Sequence, residues 1–275
     1  MRDGVLLCAD VYLPAMTGNF PCLLARTPYD KSQNSITGID YIRAAKEGFA
    51  VVVQDVRGRF SSQGEFYPFL QESTDGYDSV EWIATQPWSN GNIGMVGGSY
   101  LGAAQWLAAI TQPPHLKALF PAITPSDYHE GWVFRGGAFQ LGFCLSWTLE
   151  SLVIANLPHL VSGPTIAKRL ADLNDLARHM NKGFEYLPIN EIPYFLHGIA
   201  PYYYDWINNA DNQSYWDPWR IENFHQQVNI PTYHLGGWYD LFIAGTLRNF
   251  MGLKNGNLAP QKLLIGPWAH TSPLA

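Results

Sequence analysis

Asn90-Gly91-Asn92-Ile93-Gly94-Met95-Val96-Gly97-Gly98-Ser99-Tyr100-Leu101-Gly102 is the stretch on which the reading of this 275-residue chain turns. Ile93 to Val96 is a short apolar run suited to a buried strand, and Ala103, Ala104, Trp106, Leu107, Ala108 and Ala109 suit a helix packed on a sheet. Gly97, Gly98 and Gly102 lie between them, around Ser99. A strand, a tight turn and a helix in this order can hold one serine in a strained conformation, its hydroxyl clear of the sheet. Ser99 is therefore the candidate nucleophile. The Gly-x-Ser-x-Gly pattern is imperfect, because Leu101 stands where glycine is expected and Gly102 follows one place later. An ordinary glycine-flanked turn looks the same, so an acid and a base elsewhere must decide.

Outward from the elbow, apolar runs alternate with helical spacing. Val5 to Leu13 and Phe20 to Ala25 read as two neighbouring strands, the second running into Arg26-Thr27-Pro28-Tyr29-Asp30. Ile39 to Glu47 has helical spacing, Phe49 to Val53 reads as a buried parallel strand, and Asp75 to Thr85 as a helix. Leu116 to Phe120 is a further strand. This alternation predicts an α/β fold with a mostly parallel sheet and helices on both faces. From 126 to 225 no strand stands out, whereas Phe139 to Leu152, Thr165 to Met180 and Ile199 to Asn209 have helical spacing. An inserted helical cap over 126–225 is expected, between catalytic-domain segments 1–125 and 226–275. Trp132, Phe134, Trp147 and Trp216 in the cap, with Trp238 after it, are candidates to line an aromatic substrate pocket.

The sheet resumes at Thr232 to Leu235, before Gly236-Gly237-Trp238-Tyr239-Asp240, and ends with Lys262 to Ile265, before Gly266-Pro267-Trp268-Ala269-His270. Asp240 and His270, like Ser99, follow the ends of expected parallel strands, so all three share one sheet edge. Each has an ordinary alternative, Asp240 as a helix cap and His270 as a surface histidine. Their order Ser, Asp, His is nevertheless that of α/β hydrolases, and the chemistry needs each type. A hydroxyl attacks the carbonyl, an imidazole moves its proton, and a carboxylate fixes the imidazole's tautomer. Such a triad needs no metal and no organic cofactor. His115, His129, His159, His179 and His197 read as surface or capping residues, and His225 and His234 carry no signal.

Composition narrows the class. Hydrophobic residues make up 47% and charged residues 15%, the pattern of a globular chain. A net charge of −6 with Lys and Arg scattered argues against a nucleic-acid partner. Cys8, Cys22 and Cys144 are odd in number and lack metal-knuckle spacing, which predicts buried free thiols. With neither a signal core nor eighteen consecutive apolar residues, a cytoplasmic chain without a membrane partner is expected.

Met1-Arg2-Asp3-Gly4-Val5, Arg26-Thr27-Pro28-Tyr29-Asp30, Gln54-Asp55-Val56-Arg57-Gly58, Gly97-Gly98-Ser99-Tyr100-Leu101-Gly102 and the two stretches ending at Asp240 and His270 fall in register over nearly all of the chain. In these six motifs the sequence resembles the X-prolyl dipeptidyl peptidase/cocaine esterase family of serine hydrolases, which includes the α-amino acid ester hydrolases. The family's elbow is Gly-x-Ser-Tyr-x-Gly, which accommodates Leu101. The resemblance implies an α/β-hydrolase fold with Ser99 as nucleophile, His270 as general base and then acid, and Asp240 as its orienting carboxylate. It also implies an oxyanion hole made of the Tyr29 phenol and the backbone N–H of Tyr100.

Family members are usually longer, with a C-terminal jelly-roll domain, which is expected to be absent from a chain ending at Ala275. A homo-oligomer or a partner chain covering the exposed surface is then expected. Asn212-Gln213-Ser214-Tyr215-Trp216 stands where relatives often carry acids, which weakens the case for α-amino substrates. The expected activity is hydrolysis of a small-molecule carboxylic ester, with an amide as the variant, through an acyl-serine intermediate. An X-Pro dipeptidyl peptidase or α-amino acid ester hydrolase is the alternative, and a catalytically silent binding or assembly module is the alternative of another class.

Overall fold

The computed structural model describes residues 1–33, 39–160, 166–192, 198–256 and 259–270. His197 and the start of the helix expected at Thr165 lie outside the described residues. Nine strands are present among them: β1 (Ala9–Tyr12), β2 (Phe20–Thr27), β3 (Ala50–Asp55), β4 (Ser89–Gly98), β5 (Leu116–Ala122), β6 (Phe134–Arg135), β7 (Ala138–Phe139), β8 (Thr232–Tyr239) and β9 (Gln261–Ala269). Seven form one sheet in the order β1-β3-β2-β4-β5-β8-β9. All its neighbours run parallel except β1, which pairs antiparallel with β3.

β3 carries Val51, Val52 and Val53 in succession and is buried at all six positions. β-Branched side chains suit a pleated strand, and a strand covered on both faces has no solvent side to alternate with. That burial places β3 between β1 and β2, so the two strands expected to be neighbours are not. The β1–β2 connection carries no tight hairpin turn, and β3 takes the inner position because it is buried on both faces, whereas β1 keeps partly exposed positions.

Among the helices, α1 (Tyr41–Lys46), α2 (Glu72–Ala84) and α3 (Tyr100–Ala109) flank the first half of the sheet. α3 is buried along its whole length. Its neighbour α2 approaches closely because Gly76 offers no side chain, a Cβ there falling 2.6 Å from that of Ala108.

The segment between β5 and β8 is mostly helical. It holds α4 (Leu141–Ser146), a π-helix (Trp147–Ile154), α5 (Ala155–Leu160), α6 (Ile166–Arg178), α7 (Met180–Phe184), α8 (Pro201–Asn208) and α9 (Gln213–Trp216). Two details differ from expectation. β6 and β7 form a two-stranded hairpin where none was anticipated, turned by Gly136 and Gly137, both at positive φ. The single helix expected over 139–152 is a relay of α4, π-helix and α5. α10 (Ile243–Gly256) then packs on β8 and β9. No helix among the described residues is long and apolar enough to cross a membrane. Cys22 and Cys144 are buried free thiols, while Cys8 is half-buried.

Candidate active site

β4 ends at Gly98 and α3 begins at Tyr100, leaving Ser99 alone in the turn. Its φ of 57° and ψ of −121° lie in a region that L-residues other than glycine rarely enter. Two backbone hydrogen bonds hold it there, and a buried side chain ties together the segments around it. The Ser99 amide donates to the Ala122 carbonyl at 2.9 Å, and its own carbonyl accepts from Ala103 N–H at 3.0 Å. The wholly buried Gln105 amide group donates to the carbonyls of Gly97, Leu101 and Phe120, at 3.0, 3.2 and 3.2 Å, and accepts from the Phe120 amide at 3.0 Å. Glycine is needed at 97, where φ is +131° and a Cβ would sit 2.6 Å from that of Leu101. It is needed at 102 as well, where a Cβ would meet the Thr124 side chain at 2.8 Å.

The other two members arrive from the last two strands of the sheet. Asp240 directly follows β8 and His270 directly follows β9, and parallel pairing of these strands sets the two side by side. His270 Nδ1 lies 2.6 Å from Asp240 Oδ2, and His270 Nε2 lies 3.0 Å from Ser99 Oγ. Since an ionised carboxylate only accepts, Nδ1 carries the proton and Nε2 is the acceptor facing the serine hydroxyl. The Phe242 amide donates to Asp240 Oδ1 at 2.6 Å, so both carboxylate oxygens are engaged. The carboxylate is fully buried, while a quarter of the His270 side chain is exposed. The imidazole packs edge-on against the Phe242 ring, centroids 5.1 Å apart.

Tyr29 sits just beyond β2, its backbone N–H held by Thr27 Oγ1 at 3.0 Å. Its hydroxyl accepts from Trp147 Nε1 at 3.0 Å, and its ring meets that of Tyr100 edge-on at 6.3 Å. Burial pushes the phenol up to about 12, against the opposing pull of the Trp147 bond and the nearby Arg59 charge. Tyr100 divides its roles. As the first residue of α3, its backbone N–H is one of the amides that a helix's own ladder leaves without a partner. Its buried phenol donates to Glu72 Oε1 at 2.9 Å and accepts from Phe69 N–H at 3.1 Å. Burial, with Glu72 beside it, drives that phenol well above its ordinary value.

Sequence reasoning missed the charges behind this wall. Glu72 closes a short ion pair with Arg26, which also donates to Gln54 Oε1 at 2.9 Å. Arg59, 1% exposed, donates to the carbonyls of Pro28 at 2.6 Å, Leu152 at 2.5 Å and Ser151 at 3.0 Å. Burial lowers its guanidinium to about 10. Arg26 was open to discovery as a charge closing an apolar strand run. Arg59, in a polar glycine-rich loop, gave no such signal.

Of the five pocket candidates, two stand beside these groups. Trp147 touches the Tyr29 hydroxyl, and Trp132 stacks on Phe242 at 4.7 Å and meets Trp147 at a tilt at 5.0 Å. Phe134 and Trp216 meet at 6.2 Å in a second aromatic group with His129. His129, Ala210, Asp211, Gln213, Trp216 and Arg220 line a separate polar recess of about 430 Å³. Trp238 is 64% exposed. Aromatic residue type alone cannot say on which side of a helix or strand a ring falls.

A serine on a strained strand-to-helix turn, met by a histidine and an aspartate from two later strands of one mostly parallel sheet, is the arrangement of the α/β-hydrolase fold. Within that class, the chain belongs to the X-Pro dipeptidyl-peptidase (S15) family, whose model matches residues 3–272. It is 35% identical to the cocaine esterase of Rhodococcus sp. (strain MB1 Bresler), an alignment that covers 99% of this chain and 48% of that protein.

Its architecture matches the crystal structure of an aminopeptidase from a marine sediment Thaumarchaeota archaeon, with a TM-score of 0.72 and 24% identity over 98% of this chain and 47% of that one. A CocE/NonD family hydrolase from Staphylococcus aureus gives a TM-score of 0.72 at 23% identity, over 98% of this chain and 45% of that one. The family is the one the six motifs resemble. The chain spans about half the length of the curated relatives it matches.

Proposed function

We propose that the chain catalyses acyl transfer from small carboxylic esters to water through an acyl-serine intermediate. Ser99 Oγ attacks the ester carbonyl while His270 Nε2 takes its proton. The tetrahedral oxyanion is met by the Tyr29 hydroxyl and the Tyr100 backbone N–H. Collapse expels the alcohol, to which His270 returns the proton, and water repeats the sequence to release the acid. Asp240 holds the imidazole's tautomer and offsets its transient charge.

The observation that carries this reading is the unbroken hydrogen-bonded line Asp240–His270–Ser99, at 2.6 and 3.0 Å, ending on a serine in a strained turn. Two donors aimed at a developing oxyanion contribute about 3–4 kcal/mol each to the barrier reduction. An ester is favoured over an amide because its leaving group departs with less protonic assistance. Residues 126–225 serve as a cap whose Trp132 and Trp147 wall the acyl side. Three free cysteines suit a reducing, cytoplasmic setting.

The test is labelling with a fluorophosphonate probe read by intact mass, together with turnover of p-nitrophenyl acetate, p-nitrophenyl butyrate and Gly-Pro-p-nitroanilide. One adduct, lost in Ser99→Ala and His270→Ala, with ester turnover exceeding anilide turnover, is expected. Anilide turnover in excess would move the assignment to an X-Pro dipeptidyl peptidase. A folded chain that takes no probe would replace it with a binding or assembly role.

A further inference from the structure

The Tyr29 hydroxyl has a hydrogen-bond partner whose chemistry fixes which way its proton points. An indole Nε1–H can only donate, so in the 3.0 Å contact between Trp147 Nε1 and Tyr29 the phenol oxygen is the acceptor. Trp147 is the one side chain among the described residues that hydrogen-bonds this hydroxyl, and it leaves the phenol's own proton uncommitted. A phenol O–H beside an acceptor would turn its proton inward. Beside a donor it must turn the proton elsewhere, and an oxygen that accepts one hydrogen bond becomes a stronger donor through its proton.

Trp147 is itself held in register with Tyr29 by a second, independent link. It opens the π-helix Trp147–Ile154, and π turns inside helical segments occur mostly at functional sites. Ser151 and Leu152 of that same turn give their carbonyls to Arg59, whose Nε also donates to Pro28, the residue before Tyr29. The guanidinium therefore ties the Tyr29 loop to the helix that carries the indole. On the opposite edge, Asn156 receives the Phe60 amide at 3.0 Å and donates to the Gly58 carbonyl at 3.0 Å, which holds the Arg59 loop against α5. The Trp147 ring is packed against Trp132, Phe143 and Trp206, with centroids 5.0, 5.9 and 5.9 Å away, and so has little freedom to turn.

We infer that Trp147 is a positioning residue for catalysis: its indole N–H occupies the Tyr29 oxygen and thereby directs the phenol proton toward the oxyanion. This rests on the reading of Tyr29 as an oxyanion donor. It gives Trp147 a role separate from that of a pocket wall. A wall residue sets how well the acyl group binds, whereas a residue that orients a transition-state donor acts on kcat.

A double-mutant cycle with p-nitrophenyl acetate, whose acyl group is too small to need the pocket, separates the two. Trp147→Phe is expected to lower kcat about tenfold, the worth of one neutral hydrogen bond, with KM within twofold of the parent. In a Tyr29→Phe background the same change is expected to cost nothing further. Replacement of Trp147 by 3-benzothienylalanine, which keeps ring size and exchanges N–H for sulfur, should reproduce the loss and covers the case in which Trp147→Phe folds poorly. Equal losses in both backgrounds, or a rise in KM at constant kcat, would overturn the inference and leave Trp147 as a wall. A Tyr29→Phe variant with full kcat would instead remove the oxyanion role of Tyr29, and this inference with it.

Discussion

The backbone amide of Ser99 is spent on the carbonyl of Ala122, 2.9 Å away on β5. One consequence is chemical, since the amide available to an oxyanion at this turn is the next one, that of Tyr100. The other is energetic, because the bond helps hold a residue at φ 57° and ψ −121°. Such a conformation costs an L-residue on the order of 1–3 kcal/mol, and glycine escapes most of it. Ser99→Gly is therefore expected to be inactive yet more stable than Ser99→Ala by about 1 kcal/mol, read from paired denaturant titrations. Equal stabilities would mean that the turn carries no strain.

Asp240→Asn keeps an oxygen for the Phe242 amide but presents an NH2 group to His270 Nδ1, which forces the proton onto Nε2, the wrong nitrogen. Loss of roughly 10⁴-fold in kcat with an unchanged melting transition is expected. Steady-state ester kinetics alongside calorimetry check it.

Tyr29→Phe deletes one hydroxyl whose partner among the described residues is Trp147. A fall of about 10²- to 10³-fold in kcat is expected, with fluorophosphonate labelling slowed and Tm nearly unchanged. A full-rate variant would assign the oxyanion to other donors.

Glu72→Gln removes the buried charge that faces Arg26 and accepts from Tyr100. A guanidinium left without a counter-charge in the interior costs about 3–5 kcal/mol. Urea unfolding should show that loss, while the remaining amide oxygen still accepts from the Tyr100 phenol, so activity measured well below the new midpoint should fall far less than stability.

His234 gives a pH dependence with a defined sign. It is 1% exposed, its Nε2 is 2.9 Å from Gln261 Oε1, and burial lowers its pKa to about 4. The folded state therefore keeps it neutral, while the unfolded chain takes up a proton near pH 6.5. Stability is complete above pH 6.5 and is lost as pH falls toward 4, by up to about 3 kcal/mol from this group. Urea midpoints across that window should slope downward in the parent and less steeply in His234→Gln.

The sequence made the reactive line legible because each of its members follows an apolar run closed by glycine or proline, as Gly97-Gly98 precede Ser99 and Gly266-Pro267 precede His270. Strand ends can be read this way, since a buried parallel strand is a continuous apolar run. Strand order could not. Whether β1 lies beside β2 or across β3 depends on which faces of each strand are covered by helices, and an apolar run alone does not say which neighbour covers it. The π-helix escaped for a similar reason: its sequence, Trp-Thr-Leu-Glu-Ser-Leu-Val-Ile, has the apolar spacing of an α-helix, and its widened turn goes with carbonyls of Ser151 and Leu152 that face a guanidinium ninety residues earlier. The Arg26–Glu72–Tyr100 line joins three elements and carries no local pattern at all.

β9 closes one side of the sheet and is bonded to β8 alone. The strand that delivers the His270 imidazole thus lies at one of the two edges of the sheet, as β1 does at the other, while Ser99 hangs from the centre. Strands at a margin open to hydrogen exchange before the middle does. On warming, the imidazole would drift out of reach of a serine that is still perfectly seated, so this protein should fall silent at a temperature where its spectroscopic signature is still that of the native state.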